Sequence, residues 1–348
     1  MPLYEYELPR SAAILTAEIL GVRPGEVVAI TADTESEERV VSATAAAVHA
    51  AGGKPMVITL ASPTGVGKAA DPALPVEALA AALAKVDAWV EFNNQWLLYS
   101  TPFEMARDAN PRLRYLCLVG MNVDMMVRCI SRVDHGGLRS FLNRVTELTK
   151  NARDMRVTTP AGTDIRFKND PTRLYSCDTG LANVPGAHFL TGQISWAPIH
   201  QTIEGTIVFD GTISPPLNRL VDAPVGLTVK EGRVVDITGG KDAVTYGAWL
   251  SSFDDPNMLR LAHIAYGFNP GAKLTGNVLE DERVWGATEW GLGYLQAVDA
   301  PPDGIPAKSH TDGICLNSSV WLDGVALLQE GRVVHPELAT LARSLKAE

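Results

Sequence analysis

The sequence predicts an α/β N-terminal domain with an open, mostly parallel sheet, followed by a β-rich α+β C-terminal domain that carries a metal site. Two observations predict the architecture. Short apolar runs alternate with helical stretches in the first part of the chain, and hairpin signals replace them after about residue 155. A third observation, a His-x-Asp pair at His310 and Asp312, puts the chemistry in the second part. The 348 residues exceed what one hydrophobic core usually organises. The expected domains are therefore a Rossmann-like one over 1–154 and a metal-binding catalytic one over 155–348.

In the first domain, residues 25–30 read as a strand. Residues 34–51 follow as an Ala/Val-rich helix; its opening acids Glu35, Glu37 and Glu38 suit a positive helix N-terminus, and Gly52-Gly53 ends it. Residues 55–60 form the next strand, 76–85 an Ala/Leu helix, and 88–92 and 114–119 two further strands. Residues 138–153 place Leu142, Val145 and Leu148 at helical spacing. In the second domain, 155–167 reads as a hairpin around Pro160-Ala161-Gly162-Thr163, and 205–211 alternates like a strand. Residues 227–237 form a hairpin turning at Glu231-Gly232, and a helix is expected near 255–266.

Composition narrows the function classes. A net charge of −10 without any Lys/Arg cluster argues against nucleic acid or an anionic membrane surface as partner. No stretch approaches the ~20 apolar residues of a membrane helix, and the N-terminus lacks a signal-peptide pattern. Cys117, Cys129, Cys177 and Cys315 are scattered and form no C-x-x-C pair, which reads as reduced thiols. A soluble, cytoplasmic protein is the expectation.

Familiar motifs are absent. Gly65-Val66-Gly67-Lys68 lacks the upstream glycine and the following Ser/Thr of a phosphate loop, and no G-x-G-x-x-G follows the first strand. There is no G-x-S-x-G nucleophile elbow. What remains is Ser309-His310-Thr311-Asp312-Gly313. In a strand, residues two apart share a face, so His310 and Asp312 can converge on one ion. His263, in an apolar segment ending at Gly267-Phe268-Asn269-Pro270, is the best third donor for a two-histidine, one-carboxylate site. Taken singly, Asp312 also fits a turn acid and His263 a hydrogen-bonded core histidine.

Several segments resemble the aminopeptidase T superfamily and, within it, the iron-dependent 2,5-dihydroxypyridine 5,6-dioxygenases. They are Gly205-Thr206-Ile207-Val208-Phe209-Asp210, the run from His263 to Pro270, Thr275-Gly276-Asn277-Val278-Leu279-Glu280-Asp281-Glu282, Trp290-Gly291-Leu292-Gly293 and His310-Thr311-Asp312. Leu97-Leu98-Tyr99-Ser100 and Ala161-Gly162-Thr163-Asp164 match more loosely. The peptidase branch holds two metals, and at its extra carboxylate and histidine positions this chain has Gln193, His263 and Glu289. The resemblance thus implies one metal on His263, His310 and Asp312, with Fe2+ expected and Zn2+ or Mn2+ as alternatives.

The implied activity is ring cleavage of a hydroxylated N-heterocycle or related aromatic by dioxygen; a metallohydrolase on the same site is the alternative. The dioxygenase branch carries a base histidine where this chain has Tyr99, a poor base at neutral pH because its phenol titrates near ~10. His188 matches another histidine of the branch and takes over the acid–base role in this reading, with Glu289 as a second candidate for that role or for a fourth metal ligand. Trp196, Trp285, Trp290 and Phe268 are candidate walls of an aromatic slot, or ordinary core residues. A homo-oligomer is implied by the resemblance alone.

Overall fold

The structure is a computed structural model that describes residues 4–346. The chain forms two compact units, Met1–Val133 with Gly180–Thr191, and Asp134–Thr179 with Gly192–Glu348. This division departs from a single cut after 154 in two places. The helix His135–Asn151 packs in the second unit, where Phe141 stacks on Trp285 at 5.4 Å and meets Phe268 edge-on at 5.1 Å. Residues 180–191 return to the first unit, because Gly186–Phe189 pairs in parallel with Arg114–Cys117.

The first unit is built on a five-stranded sheet in the order Lys54–Leu60, Val27–Asp33, Ala88–Glu91, Arg114–Cys117, Gly186–Phe189, with every pair parallel. Its three middle strands are buried almost throughout, as parallel strands covered on both faces must be. The strand order reverses beside Val27–Asp33, and two acids occupy the strand ends there. Asp33 accepts hydrogen bonds from the amides of Glu35, Asn94 and Gln95. Glu91 accepts from the Leu97 amide and the Tyr115 hydroxyl. Together these bonds pin the loop that leads to Tyr99.

The second unit contains an eight-stranded and a seven-stranded sheet. The expected hairpins form: Asp154–Thr158 pairs with Asp164–Lys168, and Val225–Lys230 with Arg233–Gly239. The second hairpin turns through Glu231 and Gly232 at φ 48° and 71°, the left-handed pair of a tight two-residue turn. The sheets meet where Phe167 of one packs edge-on against Trp290 of the other at 5.4 Å. Gly313 leaves room for Phe209 at the same junction, since a Cβ there would lie 2.4 Å from the ring.

The helix expected near 255–266 is not formed. A short 3-10 turn, Pro256–Leu259, gives way to the strand Leu261–Gly267, which lies inside the seven-stranded sheet. A short apolar run that is buried on both faces has no readable period, and its neighbours on either side decide its conformation. Among the described residues, no helix is long and apolar enough to cross a membrane.

Candidate metal centre

The site is assembled by register. In the seven-stranded sheet, Leu261–Gly267, Thr288–Leu295 and Ile305–Cys315 lie side by side and antiparallel. His263 pairs with Gly291, and Gly291 pairs in turn with Asp312. Directly paired residues share a face, so His263 and Asp312 flank a position that has no side chain. His310, two residues before Asp312, lies on the same face. This is the face opposite Trp290 and Gly313, which belong to the core.

Gly291 is the floor of the site. A Cβ at this position would lie 2.4 Å from His263 Nε2 and 2.7–2.8 Å from the adjacent ring carbons, so the imidazole lies where any other residue would put its side chain. A register shift between Leu261 and His263 re-aims that strand. The carbonyl of Ala262, at the same irregularity, accepts a hydrogen bond from the buried His200 Nε2 at 2.9 Å.

The donors converge. His263 Nε2 lies 3.1 Å from His310 Nε2 and 3.6 Å from Asp312 Oδ1, and His310 Nε2 lies 2.9 Å from Asp312 Oδ1. His310 Nδ1 donates to the Tyr294 carbonyl at 2.8 Å, which leaves the Nε2 lone pair facing the other two donors. Acceptor atoms packed this closely need a shared proton or cation. For ligand bonds of about 2.1 Å, neighbouring donors lie about 3.0 Å apart in an octahedral site and about 3.4 Å in a tetrahedral one. The residues present therefore fit a single metal ion.

Electrostatics favours the same form. Burial, followed by the neighbouring His310, holds His263 well below the usual histidine range. Burial also lowers His310, so both rings are neutral and ready to ligate. Burial pushes Asp312 and Glu289 well above the carboxylate range, followed at Asp312 by the charge of Glu282 and at Glu289 by the charges of Asp312 and then Glu282. A divalent cation would reverse that penalty.

Around the donors lie residues to which sequence reasoning gave no such part. Gln193 Nε2 donates to Glu289 Oε2 at 2.8 Å and to Glu282 Oε2 at 3.0 Å. Glu282 pairs with Arg283 at 3.1 Å, and Arg283 with Asp178 at 2.9 Å. Glu289 itself is brought to the site, with Oε1 3.4 Å from His263 Nδ1. The sequence holds one usable signal for this: Glu289, Gly291 and Gly293 alternate, as residues sharing one face of a strand must.

Tyr99 and His188 belong to the first unit. Tyr99 has φ 65°, unusual for a bulky residue, and its ring meets Phe103 edge-on at 6.2 Å. Ser100, which follows it, caps the helix Thr101–Ala109. His188 lies on Gly186–Phe189, its Nε2 2.9 Å from the Val184 carbonyl, and burial lowers its pKa. The aromatic slot is not supported: Trp196, Trp290 and Phe268 are fully buried, and Trp285 stacks within the Phe141 and Phe268 cluster. The first three are core residues of the second unit, and Trp285 is half-buried beside them.

Fold and site define a two-unit α/β and β-sheet protein with a candidate two-histidine, one-carboxylate metal centre. The family model for 2,5-dihydroxypyridine 5,6-dioxygenase (NicX) matches residues 15–335, and the chain belongs to that family. A 2,5-dihydroxypyridine 5,6-dioxygenase of Pseudomonas putida KT2440 is 29% identical over 202 residues, 55% of this chain and 57% of that protein. The chain thus matches little more than half the length of this curated relative. The structure of 2,5-dihydroxypyridine dioxygenase from Pseudomonas putida KT2440 superposes with a TM-score of 0.78 at 22% identity, covering 97% of this chain and 100% of the other. Wild-type AmpT from Thermus thermophilus superposes with a TM-score of 0.66 at 17% identity, covering 95% and 100%. At these identities the two superpositions speak for the fold alone.

Proposed function

We propose that this chain is a mononuclear non-haem iron dioxygenase that cleaves the ring of a hydroxylated N-heterocycle such as 2,5-dihydroxypyridine. The observation that carries the proposal is the convergence of His263 Nε2, His310 Nε2 and Asp312 Oδ1 over Gly291, in a chain of this family. Two imidazoles and one carboxylate on one side of an ion leave its other positions open, the arrangement of ferrous oxygenases. Ferrous iron held there would supply the redox centre for dioxygen chemistry on the ring.

The protein's own residues do the rest. The Tyr294 carbonyl orients His310, and the bulge capped by His200 orients His263. His188, neutral because burial lowers its pKa, is the proton acceptor in this reading, and Tyr99 is a hydrogen-bonding partner rather than a base. The reading also takes the protein to be a cytoplasmic homo-oligomer; its four cysteines are free thiols, which suits a reducing compartment.

The test is oxygen uptake by anaerobically purified protein loaded with Fe2+ and given 2,5-dihydroxypyridine, with metal content measured in parallel. Iron-dependent uptake coupled to loss of the ring chromophore is the expected result. Full turnover under strict anaerobiosis, restored to stripped protein by zinc or manganese, would instead assign a metallohydrolase.

A further inference from the structure

Glu289 is almost wholly buried, 1% exposed, two residues before Gly291 and on the same face of the strand. Its Oε1 lies 3.4 Å from His263 Nδ1, within ion-pair reach, and is buried without a hydrogen-bond partner, while the carboxylate also neighbours Asp312. Its Oε2 is anchored by the Gln193 amide, whose second N–H is used on Glu282. Glu282 is in turn held by Arg283, and Arg283 by Asp178. The carboxylate is therefore fixed from behind by a chain of buried partners.

The donors that lie within 4.8 Å of one another are His263, His310 and Asp312; Glu289 groups with Asp312 only together with Glu282. Glu289 thus lies between Asp312 and the Nδ1 edge of His263 and does not join the group that His263, His310 and Asp312 form. Ligating histidines commonly donate their second N–H to a carboxylate, which fixes ring tautomer and orientation. Ser195 Oγ, also 3.4 Å from Nδ1, is a weaker neutral acceptor for the same N–H.

We infer that Glu289 is a positioning residue of the metal centre, its carboxylate receiving the His263 Nδ1 proton so that Nε2 faces the metal, with Gln193 setting the carboxylate's own position. The inference rests on His263 being a metal ligand. It removes Glu289 from the candidate bases and donors.

Co2+ binding to stripped full-length protein, followed by visible absorption and by competition with a chelator, tests it apart from activity. Glu289→Leu is expected to bind about 10–100-fold more weakly, and Glu289→Gln, whose carbonyl still accepts the N–H, within about 10-fold of the parent. Gln193→Leu, which frees the carboxylate without removing it, is expected to fall between them and carries the test if Glu289→Leu does not fold. Wild-type affinity in both Glu289→Leu and Gln193→Leu overturns the inference. So does a Glu289→Gln protein as weak as Glu289→Leu, which would make the carboxylate a direct donor, or one with full affinity and no turnover, which would make it the base. His263→Ala separates the two levels: if it leaves Co2+ affinity unchanged, the ligand reading itself fails.

Discussion

Gly291→Ala probes the site without removing a single polar atom. The added methyl would lie 2.4 Å from His263 Nε2. To regain an ordinary contact of about 3.5 Å, the ring must retreat by about 1 Å. Metal sites tolerate about 0.2 Å in ligand position, so this retreat withdraws one of three donors. The expected loss in metal affinity is at least about 100-fold, or about 2.7 kcal/mol. The His263 side chain is 17% exposed and can move, so the metal-free protein is expected to melt close to the parent. The assay is chelator competition with Fe2+ and Zn2+, beside thermal melting of stripped protein. Gly313→Ala is the control, since its methyl would strike Phe209 in the core between the sheets; it should lower the melting temperature more than the metal affinity. A Gly291→Ala protein that binds metal like the parent would refute the placement of His263 as a donor.

Other consequences are equally measurable. Asp312→Ala removes the one anionic donor and should cost at least about 100-fold in metal affinity with loss of activity, read by metal analysis after gel filtration. Chelation should lower the melting temperature, and metal at 100 times its Kd should restore about 2.7 kcal/mol. Glu91 is fully buried and its carboxyl is pushed up to about 7, mainly by that burial. A raised carboxyl stabilises the fold below its unfolded value of 4.5, and this stabilisation, about 3 kcal/mol, is lost as pH rises to about 7. Denaturant titrations across that window should show the slope, and Glu91→Gln should flatten it. His188→Asn should lower kcat by about 10²–10⁴-fold with metal content unchanged; loss of the metal instead would contradict its role as proton acceptor.

Local periodicity by itself determined a good deal. The period of two that brings His310 and Asp312 to one face holds in any strand, so that pair was legible without the fold. The turn at Glu231 and Gly232 and the strand–helix alternation of the first unit were legible for the same reason, since neighbours in the chain set them. The segment 261–267 was not. Its burial on both faces erases the period, and only pairing with Gln193–Trp196 and Thr288–Leu295 makes it a strand. Nor could local signals show that Gly186–Phe189 returns to the first sheet, because that pairing spans about seventy residues. Tertiary structure also decided what surrounds the donors. Cross-strand register sets Gly291 beneath His263, turns Glu289 toward Nδ1 and makes Gln193 a clamp between two carboxylates. Residue types and spacing can name the atoms able to bind a metal, but which ones meet, and what holds them, depends on contacts between segments far apart in the chain.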